Sequence, residues 1–444
     1  MTCVAHGAQT ANPGFPSPYP VQIRSTSPIH PTLGARTPLA NFPAVTTRNS
    51  IRRLWRPPGR FEDRDPDRRV SFLELFFDLV FVAVIARLAH ALAENPSWEG
   101  AGWFVLLFYA VWSSWINGTF YHDLHGTDDL SIRVFTFAQM LAVAVMAVHA
   151  DKVPGDGSDG FALAYAANTL LLVVLWFRTG IHDPHHRPAS IPYSTAYLCS
   201  ATLFATSVLA DPPLSHWMWG LGLFAEMTGY WVAMSRWTPP ASQGGDATIA
   251  TTPSLIERMG LFVIIVLGEV VVGSVNGMAD LTPLDINELV IGSLGILVAI
   301  GLWWLYFDLI SHREPVSRLT QLWLYLHLPL VIALAAGGAG VLNTIEHSAA
   351  DLPGSVRWLL VGSLAIAVLS ILALTLVLQI RTLGAAAAGV YAVADRALLV
   401  SAVLIGAVGL TEWGAKTSLL AMVILLLLPA YAGLRVWARA ASVG

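Results

Sequence analysis

Charged residues and cysteines are both scarce in this chain. Only 12% of its 444 residues are charged, which is about half the share of an ordinary soluble domain. Its two cysteines, Cys3 and Cys199, provide neither a disulfide framework nor a thiolate metal site. The net charge of −4 is too small to indicate a nucleic-acid partner or an acidic substrate. These shortages argue against a soluble domain, a disulfide-rich protein and a nucleic-acid-binding protein.

Several motifs of catalysis and energy coupling are absent from the sequence as well. It has no Gly-rich phosphate-binding loop of the Walker type, so ATP-driven transport by this chain is not expected. It also lacks the HExxH and GxSxG motifs and a regular arginine ladder. Hydrophobic residues are abundant instead, at 55% of the chain, with a mean hydropathy of +0.60. This composition predicts an integral membrane protein.

About twelve hydrophobic stretches have the roughly 20-residue length that a bilayer requires. They are Val70–Ala93, Ala101–Tyr121, Ser131–Ala150, Phe161–Ile181, Ile191–Ala210, Leu214–Ser235, Ser254–Val275, Leu289–Ile310, Leu319–Leu342, Val356–Ile380, Tyr391–Leu410 and Leu419–Trp437. The sequence therefore predicts an all-α polytopic transmembrane domain of about 12 helices over residues 70–444. Arginines are concentrated in alternate loops, on the side of an Arg-rich N-terminal region, which predicts that both termini are cytosolic.

The first 69 residues form a region of different composition. Residues 1–40 are rich in Pro, Ser, Thr and Gly, and eight arginines follow between Arg48 and Arg69. This predicts a disordered, Arg-rich cytosolic tail close to anionic lipid headgroups.

A weak internal repeat follows the tail. Glu74 lies near the start of the first stretch, and Glu257 lies near the start of the seventh. In both cases the stretch that follows ends in a Trp-rich polar segment. This correspondence favours two parallel six-helix halves, residues 70–235 and 254–440.

Ionisable residues inside the apolar stretches are the candidate functional groups. Glu269 stands alone in the run LFVIIVLGEVVVGSV, where a charge is expensive, on the order of 2.5–3.5 kcal/mol. Glu74 and Asp78 share one face of the first helix. They could form a cation or proton site, or they could cap the start of the helix and pair with a tail arginine. Arg258 falls near the face of Glu269 but about 16 Å away in height. Glu226 is a further carboxylate without an evident partner.

The densest polar stretch, Trp112–Arg133, has two explanations. Its His and Asp residues, such as Asp123, could bind a metal, although their spacing matches no zinc motif. A solvated cytosolic loop explains the same composition equally well. Outside this stretch, His327 is a lone histidine on an apolar helix, where it is either a satisfied core residue or a proton relay.

Five segments resemble the low-temperature-requirement protein A (LtrA) family. They are VSFLELFFDLVFV at 70–82, WSSWINGTFYHDLHGTDD at 112–129, ERMGLFVIIVLGEVVVG at 257–273, WWLYFD at 303–308 and YLHLPLVIALAAG at 325–337. The resemblance implies a bacterial polytopic membrane protein whose biochemical activity is poorly established. The matching family positions are Glu74, Asp78, Asp128, Asp129, Arg133, Glu257, Arg258, Glu269, Trp304, Asp308 and His327.

The first functional hypothesis is a transporter-like protein of the bacterial cytoplasmic membrane that moves a small solute or ion, coupled to protons. Glu269 would be the protonatable or cation-binding group, Glu74 and Asp78 the relay on the inner side, and Arg258 a counter-charge or an anion anchor. Glu257, His327 and Asp308 complete the candidate site. The expected partners are the lipid bilayer, the solute and further copies of the chain, and no cofactor is expected.

The alternative hypothesis is an integral-membrane enzyme that acts on a lipid or prenyl substrate. Four aspartates would hold a divalent cation or protonate an olefin at the cytosolic face, namely Asp123, Asp128, Asp129 and Asp308. A third alternative is a stress-tolerance factor of the membrane that transports nothing.

Overall fold

Twelve α-helices make up most of the protein in the computed structural model, which describes residues 55–60, 68–127, 129–236, 252–279, 285–311, 313–316, 319–347, 352–378 and 385–441. These residues all fall in one unit, Arg48–Gly444. The helices are α1 Phe72–Glu94, α2 Trp98–His125, α3 Leu130–Ala150, α4 Ser158–His182, α5 Arg187–Ser207, α6 Leu214–Arg236, α7 Pro253–Ala279, α8 Ile286–Leu309, α9 Thr320–Glu346, α10 Gly354–Val377, α11 Ala385–Val408 and α12 Ala415–Ala441. Each overlaps one predicted stretch, so the all-α fold class is confirmed.

Seven of these helices are long and apolar enough to cross a membrane. They are α3, α4, α8, α9, α10, the part of α11 from Tyr391 to Val408 and the part of α12 from Ala415 to Arg435. Long apolar helices with many outward-facing hydrophobic side chains need a hydrocarbon environment. Large hydrophobic side chains are indeed exposed along them, including Leu141, Phe177 and Leu427. The protein is therefore a multi-pass membrane protein.

Polar side chains determine where α1 and α8 begin. The Ser71 hydroxyl accepts a hydrogen bond from the Glu74 amide at 3.3 Å, and the Glu74 carboxylate accepts one from the Ser71 amide at 2.8 Å. Asp285 and Glu288 form the same reciprocal pair at the start of α8. Such a capping box satisfies amides that a helix leaves unpaired. It fixes Glu74 in the first turn of α1, on the same face as Asp78.

The second half of α2 is buried on every side. All residues from 110 to 125 are buried, where α2 packs against α1, α4, α7 and α9. A helix buried all round lies in the interior of a bundle. The interpretation of His122, Asp123 and His125 as residues of a solvated loop is therefore wrong, because they lie in α2 and their side chains are buried against neighbouring helices.

Residues 55–60 lie against the end of α2. The Gly59 amide donates to the His125 carbonyl at 3.1 Å, and the Gly59 carbonyl lies 2.8 Å from His125 Nδ1. The Arg56 amide donates to the Asp129 carboxylate at 2.8 Å. These six residues thus differ from the prediction of a disordered tail, because their backbone is hydrogen-bonded to the helical unit.

One glycine contact sets the distance between α5 and α6 and gives a testable prediction. A Cβ at Gly229 would collide with the Ala196 Cβ, whereas a Cβ at Gly220, on the same helix, would meet nothing within 4 Å. We expect Gly229→Ala to lower the free energy of unfolding by about 1–3 kcal/mol through overpacking. Gly220→Ala should leave it unchanged or slightly raised, because alanine favours helix. Thermal unfolding of both purified variants in one detergent checks this, and equal midpoints would contradict it.

Candidate functional site

A fully buried arginine joins helices α1 and α7. Arg258 lies on α7 with 0% of its side chain exposed. Its Nη2 donates to Asp78 Oδ1 of α1 at 2.5 Å, and its Nε lies 3.4 Å from Asp78 Oδ2. Both carboxylate oxygens therefore face the planar guanidinium, which is the geometry of the strongest ion pairs. The sequence predicts Arg258 as a counter-charge, and in the structure its partner is Asp78, 180 residues earlier in the chain.

Glu74 is shared between two arginines. Its Oε1 accepts from Arg68 Nη2 at 2.6 Å and lies 3.6 Å from Arg258 Nη1, which has no hydrogen-bond partner among the described residues. The predicted pairing of α1 carboxylates with the tail arginines holds for Glu74 and Arg68. It does not hold for Asp78, whose arginine comes from α7. Two carboxylates and two guanidiniums therefore form one chain, in the order Arg68, Glu74, Arg258 and Asp78.

A tryptophan of α2 completes the surroundings of Asp78. Trp115 Nε1 donates to Asp78 Oδ1 at 2.8 Å, and its ring stacks on Phe262 of α7 with centroids 3.9 Å apart. Trp115 is itself fully buried. Helices α1, α2 and α7 thus meet at one carboxylate, and a rotation of any of them changes the contacts of Asp78.

Asp123 and Asp129 serve as hydrogen-bond acceptors at helix ends. Asp123 Oδ1 accepts from the Thr252 hydroxyl at 2.7 Å, and Thr252 in turn accepts from the Leu255 amide at the start of α7. Asp129 caps α3. Burial raises the pKa of Asp129, but hydrogen bonds from Ser131, Arg56 and Thr127 outweigh this effect, so that its pKa lies below the usual value of 3.8.

The four aspartates of the enzyme hypothesis do not form one site among the described residues. Asp128 lies outside those residues. Asp308 lies beside Gly433 of α12, within 4.0 Å of the position that a Cβ there would occupy. In the described part of the chain, no group of three His, Cys, Asp or Glu side chains has a metal-binding arrangement.

Glu269 lies apart from the arginine chain. It is eleven residues beyond Arg258 on α7, hence about 16 Å along the helix axis, and it is half-buried. His90 of α1 lies within electrostatic reach of Glu269 and also pairs with Glu94 at 3.3 Å. Unlike Asp78, Glu269 has no arginine at ion-pair distance among the described residues. Its role in binding a proton or a cation stays a prediction.

Glu257 and His327 have separate surroundings. Glu257 is exposed and lines an open groove with Phe307 and Arg313. His327 Nδ1 lies 2.8 Å from the Trp323 carbonyl, and its Nε2 lies 3.0 Å from the Tyr306 hydroxyl. Since a carbonyl only accepts, Nδ1 carries the proton and Nε2 accepts from Tyr306. His327 is thus a satisfied core residue in this structure, and its role as a relay stays a prediction.

Glu226 of α6 has partners that the sequence did not indicate. Its Oε2 accepts from the Ser113 hydroxyl of α2 at 2.6 Å, and the Tyr165 hydroxyl of α4 lies 2.9 and 3.0 Å from its two oxygens. Trp115 and Thr252 are also missing from the sequence-based candidates. Trp115 lies in the polar stretch Trp112–Arg133, but the sequence does not indicate what its indole contacts, because the partner comes from a distant helix.

The comparison with protein families identifies the chain. A family model described as bacterial low temperature requirement A protein (LtrA) matches residues 69–432. The chain belongs to this family. It is also 29% identical, over 296 residues, to the uncharacterized protein RA0937 of Rhizobium meliloti (strain 1021), an alignment that covers 63% of this chain and 70% of the relative. No solved structure matches.

The resemblance noted in the sequence is thereby confirmed. Asp78, Trp115, Arg258 and Glu269 all lie inside the part of the chain that the LtrA model matches, and Arg68 directly precedes it. The arginine chain therefore joins the first matched helix, α1, to α7 within the LtrA region.

Proposed function

We propose that this LtrA-family protein moves a small solute or ion across the bacterial cytoplasmic membrane, coupled to the movement of protons. All twelve helices span the bilayer in this proposal, with both termini cytosolic. The five helices beyond the seven apolar ones have 21 to 28 residues, which gives a rise of about 32 to 42 Å and is enough to cross.

The ion pair between Arg258 and Asp78 carries the proposal. Taking two charges out of water is expensive, and a buried pair is often no more stabilising than apolar residues of the same volume. Ionisable groups inside membrane proteins therefore tend to mark solute and proton pathways. Arg258 is fully buried, and its partner Asp78 is 1% exposed. Function rather than stability is the simplest reason for such a pair.

The unequal contacts of Arg258 suggest how the pair works. Asp78 holds the guanidinium at hydrogen-bond distance, whereas Glu74 lies 3.6 Å away and is held by Arg68. Protonation of Asp78 would remove the stronger attraction and leave Glu74 as the remaining carboxylate. Arg258 would then shift its contact by one helical turn of α1. Such an exchange between two discrete partners is a two-state element that a proton can bias.

Glu269 supplies the second charge of the proposed cycle. It lies on the same helix as Arg258, so a movement of α7 displaces both residues together. Its half-buried carboxylate and the nearby His90 form a pair of titratable groups between α7 and α1. In the proposed cycle, Glu269 takes up a proton or a cation while Arg258 is held by Asp78.

Proton movement in reconstituted vesicles tests the proposal. The full chain is placed in liposomes that contain a pH-sensitive dye, and Na⁺, K⁺ or small zwitterions are added outside. We expect solute-dependent proton movement in the wild type and at least a ten-fold lower rate in Glu269→Gln. The control is Glu346→Gln, at the exposed end of α9, which should retain the wild-type rate.

Two results would contradict the proposal. The first is an unchanged rate in Glu269→Gln at equal reconstitution. The second is Mg²⁺-dependent turnover of a lipid that Asp308→Asn abolishes, which would favour the membrane enzyme.

A further inference from the structure

A buried carboxylate without a basic partner lies outside the arginine chain. Glu226 of α6 is only 4% exposed, and its hydrogen bonds come from the uncharged hydroxyls of Ser113 and Tyr165. Among the described residues no lysine, arginine or histidine lies at ion-pair distance from it. A carboxylate in hydrocarbon surroundings needs a counter-charge or a proton. The first question is therefore what occupies the space next to it.

The space next to Glu226 is a small cavity between α2, α6 and α9. It has a volume of about 20 Å³ and is lined by Glu226, Ser113, Asn117 and aromatic rings. A cavity that admits one water needs roughly 10–15 Å³ on the same measure. The occupant is thus about as large as one water molecule. Organic cations such as choline are too large for this volume.

Five aromatic residues line the cavity. Trp112 lies 6.3 Å from Tyr109 and 5.6 Å from Tyr325, between ring centroids. Tyr325 in turn lies 5.4 Å from Tyr230, and Tyr230 lies 6.4 Å from Phe120. The faces of such rings attract cations, and more strongly when the cation is desolvated. Five adjacent rings around one carboxylate therefore favour a positive occupant.

Polar atoms of α2 add acceptors to this wall. Asn117 Nδ2 donates to the Ser113 backbone carbonyl at 2.7 Å and to its hydroxyl at 3.2 Å. This orientation directs the amide oxygen of Asn117 away from Ser113, where it can act as a further acceptor. The cavity thus combines one carboxylate, one amide oxygen and several ring faces. It offers few oxygens for a metal ion but suits a cation that donates hydrogen bonds in several directions.

We infer that the cavity at Glu226 is a binding site for a small monovalent cation of the ammonium class. The cation would donate to the carboxylate of Glu226 and to Asn117, with the rings of Trp112 and Tyr325 against its remaining sides. Helix α2 separates this site from the arginine chain, because Ser113 and Trp115 point about 200° apart around its axis. The inference concerns binding alone and does not depend on the proposed transport.

Thermal unfolding of the purified full chain in detergent, with and without ammonium chloride, tests the inference. N-methylglucamine chloride keeps the ionic strength constant. We expect ammonium to raise the midpoint of the wild type, with a dissociation constant that is at least ten-fold weaker in Glu226→Gln. This substitution keeps the shape of the side chain and removes its charge. Glu346→Gln is the matched control and should bind like the wild type.

A second pair of variants keeps the test decisive if Glu226→Gln does not fold. Tyr325→Phe retains a ring face, so it should bind ammonium within about two-fold of the wild type, whereas Tyr325→Leu should bind at least five-fold more weakly. The inference is overturned if the wild type does not respond to ammonium or if Glu226→Gln responds equally. It is also overturned if K⁺ binds as tightly as ammonium. Ammonium binding together with an unchanged rate of proton movement in Glu269→Gln would leave this inference intact and refute the proposed function.

Discussion

Replacement of Asp78 by asparagine is expected to lower the free energy of unfolding by about 3–5 kcal/mol, because it leaves the guanidinium of Arg258 buried without its charged partner. Arg258 has no exposed surface through which water could take over this role. Asparagine keeps the volume of the side chain and an acceptor for Trp115, so the loss reports the missing charge. Thermal or chemical unfolding of the purified variant in detergent measures it.

Two further variants separate the charge from the packing. Asp78→Leu combined with Arg258→Met removes both charges together, so the double variant should be as stable as the wild type or more stable, by up to about 4 kcal/mol. Asp151→Asn breaks the pair of Arg87 and Asp151, whose atoms lie 2.8 Å apart and whose side chains are 46% and 18% exposed. It should change the stability by less than about 1 kcal/mol, because solvent screens exposed pairs. An Asp78→Asn variant no less stable than Asp151→Asn would refute the buried-charge argument.

Replacement of Arg258 by lysine is expected to reduce solute-dependent proton movement at least ten-fold, although it retains the positive charge. The guanidinium faces Asp78 with Nε and Nη2 and faces Glu74 with Nη1. A lysine side chain carries one ammonium group and cannot reproduce this planar, three-atom contact. The exchange between the two carboxylates would therefore lose one of its two states. The vesicle assay described above measures the rate.

Arg68→Lys is the matched control for this second prediction. Arg68 contacts Glu74 mainly through Nη2, and its side chain is 26% exposed. A lysine can form one such contact at the edge of the bundle, so the rate should fall by less than about three-fold. Equal losses in Arg68→Lys and Arg258→Lys would show that the planar contact of Arg258 has no special role.

The helices and their approximate ends could be predicted from the sequence. A hydrophobic stretch of spanning length is typically a transmembrane helix, because a helix satisfies its own backbone hydrogen bonds in the bilayer. The stretch Ser254–Val275 became α7, Pro253–Ala279, and all eleven others also correspond to helices. Contacts between residues close in the sequence could also be predicted. One of the two interpretations of Glu74 was a helix cap paired with a tail arginine, and Glu74 does form a capping box and contact Arg68.

The contacts between distant helices could not be predicted, because hydropathy does not specify which helices become neighbours. Asp78 and Arg258 are 180 residues apart, and Ser113 and Glu226 are 113 residues apart. The burial of the last residues of α2, from His122 to His125, was missed for the same reason. Their polar side chains are typical of a loop until the helices that surround them are known. The sequence shows Glu269 as an unusual charge in an apolar run. Its proximity to His90 could not be predicted, because it depends on the packing of α1 against α7.

The double variant Asp78→Leu/Arg258→Met gives the most direct test of the claim that this buried pair exists for function. Its stability and its solute-dependent proton movement are measured on the same preparation. We predict a protein at least as stable as the wild type whose proton movement is lost. A stable double variant that moves protons at the wild-type rate would contradict the claim.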